Sequence, residues 1–404
     1  MGAKSVRESN AASGSAGNAG LQPGSVLPEL PVPLGASKKP GWSPALPDEM
    51  TTSTVPVFLF GARGMLAGEF LRLMESHPAL ELAAAASRDP GVELHRNLGR
   101  SLSAVGSDAA TRELAIRLAR DERVAVVLAL PHGESTRLWS ALKAELGSVS
   151  EQLPLIDLAA DFRLRDPGRY LAAYGHAHPA PQELAHFAYG LPELFRAELA
   201  GARRVAVPGC FATALQLAVV PAVEARLVDA ARPWILNGIT GSSGSGNELK
   251  PGTHHPHRHD NLWAYSVAGH RHEAELEQAL APLGCQPQLA FVACSGPFAR
   301  GIHLSAHLPL SAKLSSAEAL AVYRERFSGE PFVEVLDEGM PDLRSVVGSN
   351  RVQLAVFVRA STLHVLLTLD NLVKGGAGQA LQCLNLVLGF PETLGLPRAG
   401  LGVS

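Results

Sequence analysis

The chain has 404 residues, and Lys+Arg 35 against Asp+Glu 38 leave a net charge of −3, a balance that argues against a dedicated nucleic-acid binder. Its four cysteines show no C-x-x-C spacing, which argues against a disulfide framework or a cysteine-rich zinc site and suits a reducing cytoplasm. With 46% hydrophobic residues there is core enough for about two to three domains, and no apolar run is long enough to span a bilayer.

Residues 1–50 contain 28 Gly, Ser, Ala and Pro, and their charges cancel. Lys4, Arg7, Lys38 and Lys39 stand against Glu8, Glu29, Asp48 and Glu49. No period of 2 or 3.6 survives there, so residues 1–53 are expected to form a disordered extension. The alternative is that Met50 is the true start. The segment fits neither a secretory signal nor an organelle transit peptide.

Val55–Phe60 is a short apolar run of the kind found in buried parallel strands. It runs into Gly61-Ala-Arg-Gly64-Met-Leu-Ala67, and a helix follows with Leu66, Phe70, Leu73 and Met74 on one face. A second strand is expected over Leu80–Ala86. Strand, glycine turn, helix and strand in about 30 residues make a phosphate cradle. Gly61 and Gly64 permit a tight turn and close backbone approach, and the helix start offers free N–H groups. The spacing is G-x-x-G-x-x-A rather than G-x-G-x-x-G, and a turn whose glycines serve only packing is the alternative. The second strand ends in Ser87-Arg88, a hydroxyl and a guanidinium that suit a 2′-phosphate and favour NADP over NAD. Asp89 follows directly, a residue type that an NAD site would place there.

Further strands are expected at Val124–Leu130 and Leu153–Leu158, ending in Pro131-His132-Gly133 and Ala160-Asp161-Phe162-Arg163. Taken alone, His132 and Arg163 read as ordinary loop residues. Val205-Ala-Val-Pro-Gly-Cys210 reads as strand and tight turn, with a helix running on through Gln216–Val219. Cys210 thus falls at a helix N-terminus, where the dipole lowers a thiol pKa and favours a nucleophile. A buried, inert thiol is the competing reading, and Cys285, Cys294 and Cys383 read as structural. Gly241–Gly246, after a strand over Trp234–Ile239, is either a linker or an anion nest. His254-His255-Pro-His257-Arg-His259 suggests metal, but no second ligand set completes a site, so a solvated loop is expected. Gly269-His270-Arg-His272-Glu273-Ala-Glu275 opens a helix in which His270 can carry a proton and Glu275 can orient it. A strand over Thr362–Leu369 leads to Asp370-Asn-Leu-Val-Lys-Gly-Gly-Ala-Gly-Gln379, whose glycines imply close backbone contact, and then to a last helix.

These segments, in this order across residues 55–390, resemble the N-acetyl-gamma-glutamyl-phosphate reductases of the aspartate-semialdehyde dehydrogenase superfamily. The motifs that carry the resemblance begin with the glycine turn, Ser87-Arg88, Leu130-Pro-His-Gly133 and Ile156-Asp-Leu-Ala-Ala-Asp-Phe-Arg163-Leu. They continue with Tyr189-Gly-Leu-Pro-Glu193-Leu, Pro208-Gly-Cys210, Gly269-His-Arg-His272, Arg300-Gly-Ile302 and Asp370-Asn-Leu-Val-Lys374-Gly. The resemblance implies an α/β fold in which a doubly wound, Rossmann-type NADP domain (54–206 plus 373–404) is interrupted by an α/β catalytic and dimerisation domain (207–372). The C-terminal helix would return to the first domain.

The reaction implied is NADPH-dependent reduction of a small-molecule acyl phosphate to its semialdehyde through a cysteine thioester, a step of arginine biosynthesis. Cys210 would be the nucleophile and His270 the acid/base, without metal. Glu275, Ser243, Gly244 and Arg300 would face substrate. Gly61, Arg63, Gly64, Met65, Leu66, Ser87, Arg88, Pro131 and Asn371 would line the cofactor. The protein would be a cytoplasmic homodimer or homotetramer with no nucleic-acid or membrane partner. Departures from the family pattern are Met65 for tyrosine, Arg63 for a small polar residue, Phe211-Ala212 beside the nucleophile, Ser245 in the glycine–serine loop and the His-rich stretch. The alternatives are a sister reductase for N-succinyl or carrier-linked acyl phosphates, a non-catalytic NADP-binding regulator and a cysteine-dependent hydrolase.

Overall fold

The computed structural model describes residues 54–95 and 98–402. The expected disorder over residues 1–53 lies outside the described residues. The first seven strands are β1 (Val55–Phe60), β2 (Leu80–Ser87), β3 (Val105–Gly106), β4 (Ala125–Leu128), β5 (Leu155–Asp157), β6 (Ala188–Tyr189) and β7 (Arg204–Ala206). They form one parallel sheet in the order β3-β2-β1-β4-β5-β7-β6. Between them lie helices α1 (Met65–Met74), α2 (Ser107–Leu118), α3 (Glu134–Leu146), α4 (Pro167–Tyr174) and α5 (Pro192–Leu199).

β1 is buried at every position, as a central parallel strand requires. Pro56 is tolerated because pairing with β4 begins only at Val57 and the register with β2 shifts just after it. Strand order reverses between β1 and β4, and in such sheets ligands bind beyond the strand ends at that reversal. The β4 and β5 ends are locked together there. Asp161 accepts from the N–H groups of Gly133 (2.7 Å) and Thr136 (2.9 Å), capping α3 from a neighbouring loop.

The second half holds α6 (Cys210–Glu224), a short α7 (His255–Arg258), α8 (Arg271–Leu280) and α9 (Ser316–Arg326). Its strands are β8 (Trp234–Thr240), β9 (Trp263–Tyr265), β10 (Leu289–Ser295), β11 (Ile302–Pro309), β12 (Val333–Val335), β13 (Val352–Arg359) and β14 (Thr362–Leu369). They make a mixed sheet ordered β12-β13-β14-β11-β8-β10-β9. Along β8 and β11 buried and half-exposed residues alternate. One face is therefore packed under helices and the other is left uncovered by this chain. α6 is apolar nearly all round and buried from Phe211 to Val223, and it shares a core with the inner face of this sheet. After β14 the chain turns through a single π-helical segment, Val373–Ala377, into α10 (Gly378–Leu388). Ala380, Leu381 and Leu384 of α10 pack with Val55, Val57 and Phe70, so the last helix returns to the first sheet.

Candidate active site

One cleft of about 1260 Å³ runs along the strand ends of the first sheet to the start of α6. Its cofactor side is built on the glycine turn. Gly61 has φ +86°, and a Cβ there would lie 2.3 Å from the Ala129 carbonyl oxygen. Only glycine therefore lets β1 turn against the end of β4. Gly64 precedes α1 and no side chain caps that helix, so its first N–H groups remain available. Met65 and Leu66 in the first turn, Pro131 after β4, and Ser87 and Arg88 after β2 line the same wall. An uncapped helix start behind a turn that admits only glycine, with a hydroxyl and guanidinium at the β2 end, fits a dinucleotide carrying a 2′-phosphate. Arg63 pairs with Asp89 across the top of this wall.

Cys210 begins α6, and burial holds its position tightly. A Cβ on Gly375 would lie 2.7 Å from the Cys210 Cβ. Gly209 donates its N–H to Glu275 Oε2 (3.1 Å), and a Cβ on Gly209 would meet His272 Nε2 at 2.2 Å. The expected low thiol pKa is overturned. Burial pushes the Cys210 thiol up, outweighing the lowering by Arg163, the Phe211 N–H and Arg271. The helix start is present, but desolvation of the thiolate is the larger effect.

His270 is the N-cap of α8. Its Nδ1 accepts from the His272 N–H (3.2 Å), which assigns the ring proton to Nε2. Burial, aided by the Arg271 charge, brings its pKa down to about 4, so the ring is neutral. His270 lies against Phe211, the residue after the thiol, with ring centroids 5.7 Å apart. Glu273 holds the main chain at His270, its carboxylate accepting from the His270 backbone N–H (2.6 Å) as part of the cap of α8, and not the imidazole. Glu275 was expected to orient His270 or bind substrate, and it makes no hydrogen bond to His270. It is fully buried beneath the cleft, accepting from Tyr189 Oη (2.7 Å), Gly209 N–H and Arg163 Nη1 (3.4 Å). A helix places residues i and i+2 on different faces, which is why Glu273 and Glu275 part company.

Of the other residues expected to face substrate, Ser243 and Gly244 line the cleft. The Ser243 hydroxyl is held: it donates to the Ala299 carbonyl (2.7 Å) and accepts from Asn371 Nδ2 (2.9 Å). Asn371 lines the cleft as expected, and its Oδ1 accepts from the Gly301 N–H (2.7 Å). Arg300 is not among the residues lining the cleft. Its guanidinium is engaged by Glu69 (2.8 Å) and Asp370 (2.9 Å), tying α1 to the end of β14.

The sequence reading missed Arg163, His272 and Asn247. Arg163 is 7% exposed, lines the cleft and donates to the Leu158 carbonyl (3.0 Å). Its signals were a charged residue just beyond a buried strand and its place in the Ile156–Leu164 motif that carries the family resemblance. Within 254–259, His255–Arg258 form one short helical turn. The four histidines of the stretch are exposed, as a solvated segment would have them, with imidazoles paired His254–His257 and His255–His259 and Arg258 buried against Ser295 (2.5 Å) and the Trp263 ring. Among the described residues the grouping suited to a metal is Glu193, Glu330 and Glu392. Lys374 and Arg196 already serve these carboxylates as counter-ions.

Residues 56–202 match the semialdehyde dehydrogenase NAD binding domain, and residues 210–371 match the semialdehyde dehydrogenase dimerisation domain. An N-acetyl-gamma-glutamyl-phosphate reductase of Saccharopolyspora erythraea is 41% identical, covering 86% of this chain and 99% of the relative. The chain belongs to the N-acetyl-gamma-glutamyl-phosphate reductase family. A second such reductase, from Nitrosococcus oceani, is 38% identical over 84% of this chain and 96% of its own. The family borders on another activity: a putative LysW-L-2-aminoadipate 6-phosphate reductase of Thermomicrobium roseum is 37% identical over 86% of this chain and 99% of its own. The reductase fold is also that of aspartate semialdehyde dehydrogenase II from Vibrio cholerae, with TM-score 0.60 and 16% identity over 84% of this chain and 99% of that one. No helix of the described residues is long and apolar enough to cross a membrane.

Proposed function

We propose that the chain reduces N-acetyl-glutamyl 5-phosphate to N-acetylglutamate 5-semialdehyde with NADPH, through a thioester on Cys210. The observation that carries this reading is that Cys210, at the head of α6, opens into the same cleft as the glycine turn and His270. On this reading residues 54–206 plus 373–404 bind NADP, and 207–372 form the catalytic and dimerisation domain. Gly61, Gly64 and the first turn of α1 would hold the pyrophosphate, and Ser87 and Arg88 the adenosine phosphate. When bound, NADPH supplies a hydride to the acyl carbon.

The protein's own part is nucleophilic and electrostatic. The Cys210 sulfur attacks the acyl carbon, the acyl–phosphate oxygen bond breaks, and phosphate leaves with the electron pair. The thiol must first give up its proton, which an oxygen of the departing phosphate would carry away. Arg163 and Arg271 favour that loss, and their charges also suit an anionic substrate. The neutral His270 ring, with Nε2–H and its other nitrogen engaged, is a hydrogen-bond donor rather than a base. It would donate to the acyl oxygen as negative charge gathers there and on collapse to the aldehyde.

A second reading is a carrier-linked 2-aminoadipate 6-phosphate, because relatives of both names match to nearly the same degree. The test is NADP- and phosphate-dependent oxidation of N-acetylglutamate semialdehyde by the purified protein. Turnover there supports the first reading. Turnover confined to the carrier-linked aminoadipate semialdehyde supports the second, and no turnover with either sinks both.

The outer face of the second sheet presents Ile235 (57% exposed), Ile239, Val292, Leu366 and Phe357, with His303, Ser305 and His307 of β11 set among them. We propose that a second copy of the chain covers it, giving a homodimer. Four unpaired cysteines support a reducing, cytoplasmic setting.

A further inference from the structure

Beyond the end of β2 two chemistries stand side by side. Ser87 and Arg88 suit a 2′-phosphate, whereas a carboxylate at Asp89 suits a ribose 2′-hydroxyl and repels a phosphate dianion. Left to itself, Asp89 would work against the two residues before it. The structure answers with a third group. Arg63, from the glycine turn after β1, reaches across to the neighbouring strand end and pairs with Asp89.

The pair is built to exchange. Its side chains are 54% and 59% exposed, so the contact is worth little in water and yields to a better partner. The backbone of Arg63 is nevertheless fixed, since its carbonyl accepts from Asn247 Nδ2 (2.6 Å) in the second half of the chain. The Asp89 N–H donates to Ser87 Oγ (3.3 Å), which leaves the hydroxyl hydrogen free to be donated. Arg88 is exposed and has no hydrogen-bond or ion-pair partner among the described residues. One guanidinium therefore engages the Asp89 carboxylate, while a second guanidinium and a hydroxyl, on the two residues before it, stay free at the place where a dinucleotide's adenosine ribose lies in this fold.

We propose that the Arg63–Asp89 pair sets the choice between NADPH and NADH. Arg63 masks Asp89 in the free protein and transfers to the 2′-phosphate when NADPH binds. Asp89 stays as a reserve acceptor for a 2′-hydroxyl. This rests on the cofactor reading above and adds residues that discriminate between the two nucleotides.

The test is direct titration of NADPH and NADH, followed by nucleotide fluorescence, against the wild type, Arg63→Ala, Asp89→Ala and the double variant. Arg63→Ala removes a charge-assisted contact and unmasks Asp89, so the NADPH dissociation constant should rise about 10- to 100-fold. The NADH constant should hold or fall. Asp89→Ala should tighten NADPH and weaken NADH. In the double variant NADPH should recover part of what Arg63→Ala loses, because the repelling carboxylate is gone. Equal weakening of both nucleotides by Arg63→Ala, or an unchanged NADH/NADPH ratio in either single variant, overturns the proposal while leaving the cofactor reading in place. If the wild type binds neither nucleotide, both fall together.

Discussion

At Cys210 two effects of opposite sign meet. The start of α6 and the nearby arginines favour a thiolate, and burial favours the thiol more strongly. The free protein should therefore hold Cys210 protonated at neutral pH. Its alkylation by iodoacetamide, followed by mass spectrometry of the Cys210 peptide, should keep rising through pH 7 to 9. A plateau already reached by pH 7 would contradict that. Cys210→Ser should lower reduction at least about 1000-fold while NADPH still binds, because the fluorescence titration reads only the other wall of the cleft. Near-normal turnover in that variant would sink the nucleophile. Much of this was readable beforehand. Cys210, His270 and the glycine turn announce themselves by residue type and local spacing. The group that engages the His270 ring did not, since its Nδ1 accepts from the His272 backbone N–H, a contact set by the cap of α8 rather than by any side-chain pattern.

At the scale of an element, the π-helical segment Val373–Ala377 shapes the site from behind. Lys374 is completely buried and donates to Glu193 Oε1 (2.7 Å) and Gln382 Oε1 (2.8 Å). Lys374→Met would leave the Glu193 carboxylate buried without its counter-ion, at a cost of about 3–5 kcal/mol, and Tm should fall accordingly. Adding Glu193→Gln should restore part of the loss. Equal Tm values for Lys374→Met and wild type would show that the pair is dispensable. Gly375→Ala forces a Cβ to within 2.7 Å of the Cys210 Cβ, and should impair turnover far more than NADPH binding. The glycine cluster in the sequence signalled a close approach. The π geometry was hidden, because its anchor Glu193 lies 181 residues earlier.

For the whole molecule, the doubly wound character of the first sheet could be anticipated from its strand–helix–strand units, whereas the two-residue strands β3 and β6, and the place of β7 between β5 and β6, could not. The second sheet could not, since β8 pairs with β10 and β11, and β11 with β14, across long stretches of chain. That sheet's uncovered face supports a prediction on assembly. Ile235→Asp, 57% exposed in one copy, should shift the protein toward monomer in light scattering, and an unchanged mass would place the interface elsewhere. Stability should also depend on pH in a defined direction. Burial holds His77, His178, His270, His272, His303 and His307 below their ordinary pKa. The unfolded chain then takes up more protons than the folded one as pH falls below 6.5, and for His270 this continues to about 4. Their stabilising contribution is therefore complete above that window and lost through it, so Tm should drop between pH 7 and 5, against the opposite contribution of Asp157 and Glu330, whose carboxyls burial raises to about 7. A steady or rising Tm would contradict it.

The Arg300 contacts have a mechanical consequence. Arg300 fastens α1 to Asp370, and Asp370 in turn accepts from the N–H groups of Gly348 (2.6 Å), Leu372 (2.8 Å) and Val373 (3.1 Å). The chain thus crosses from one sheet to the other through a riveted joint set right behind the sulfur. Such a joint works as an anvil rather than a jaw: the reactive atom keeps its station, and nucleotide and acyl group must travel to it and leave it along the groove.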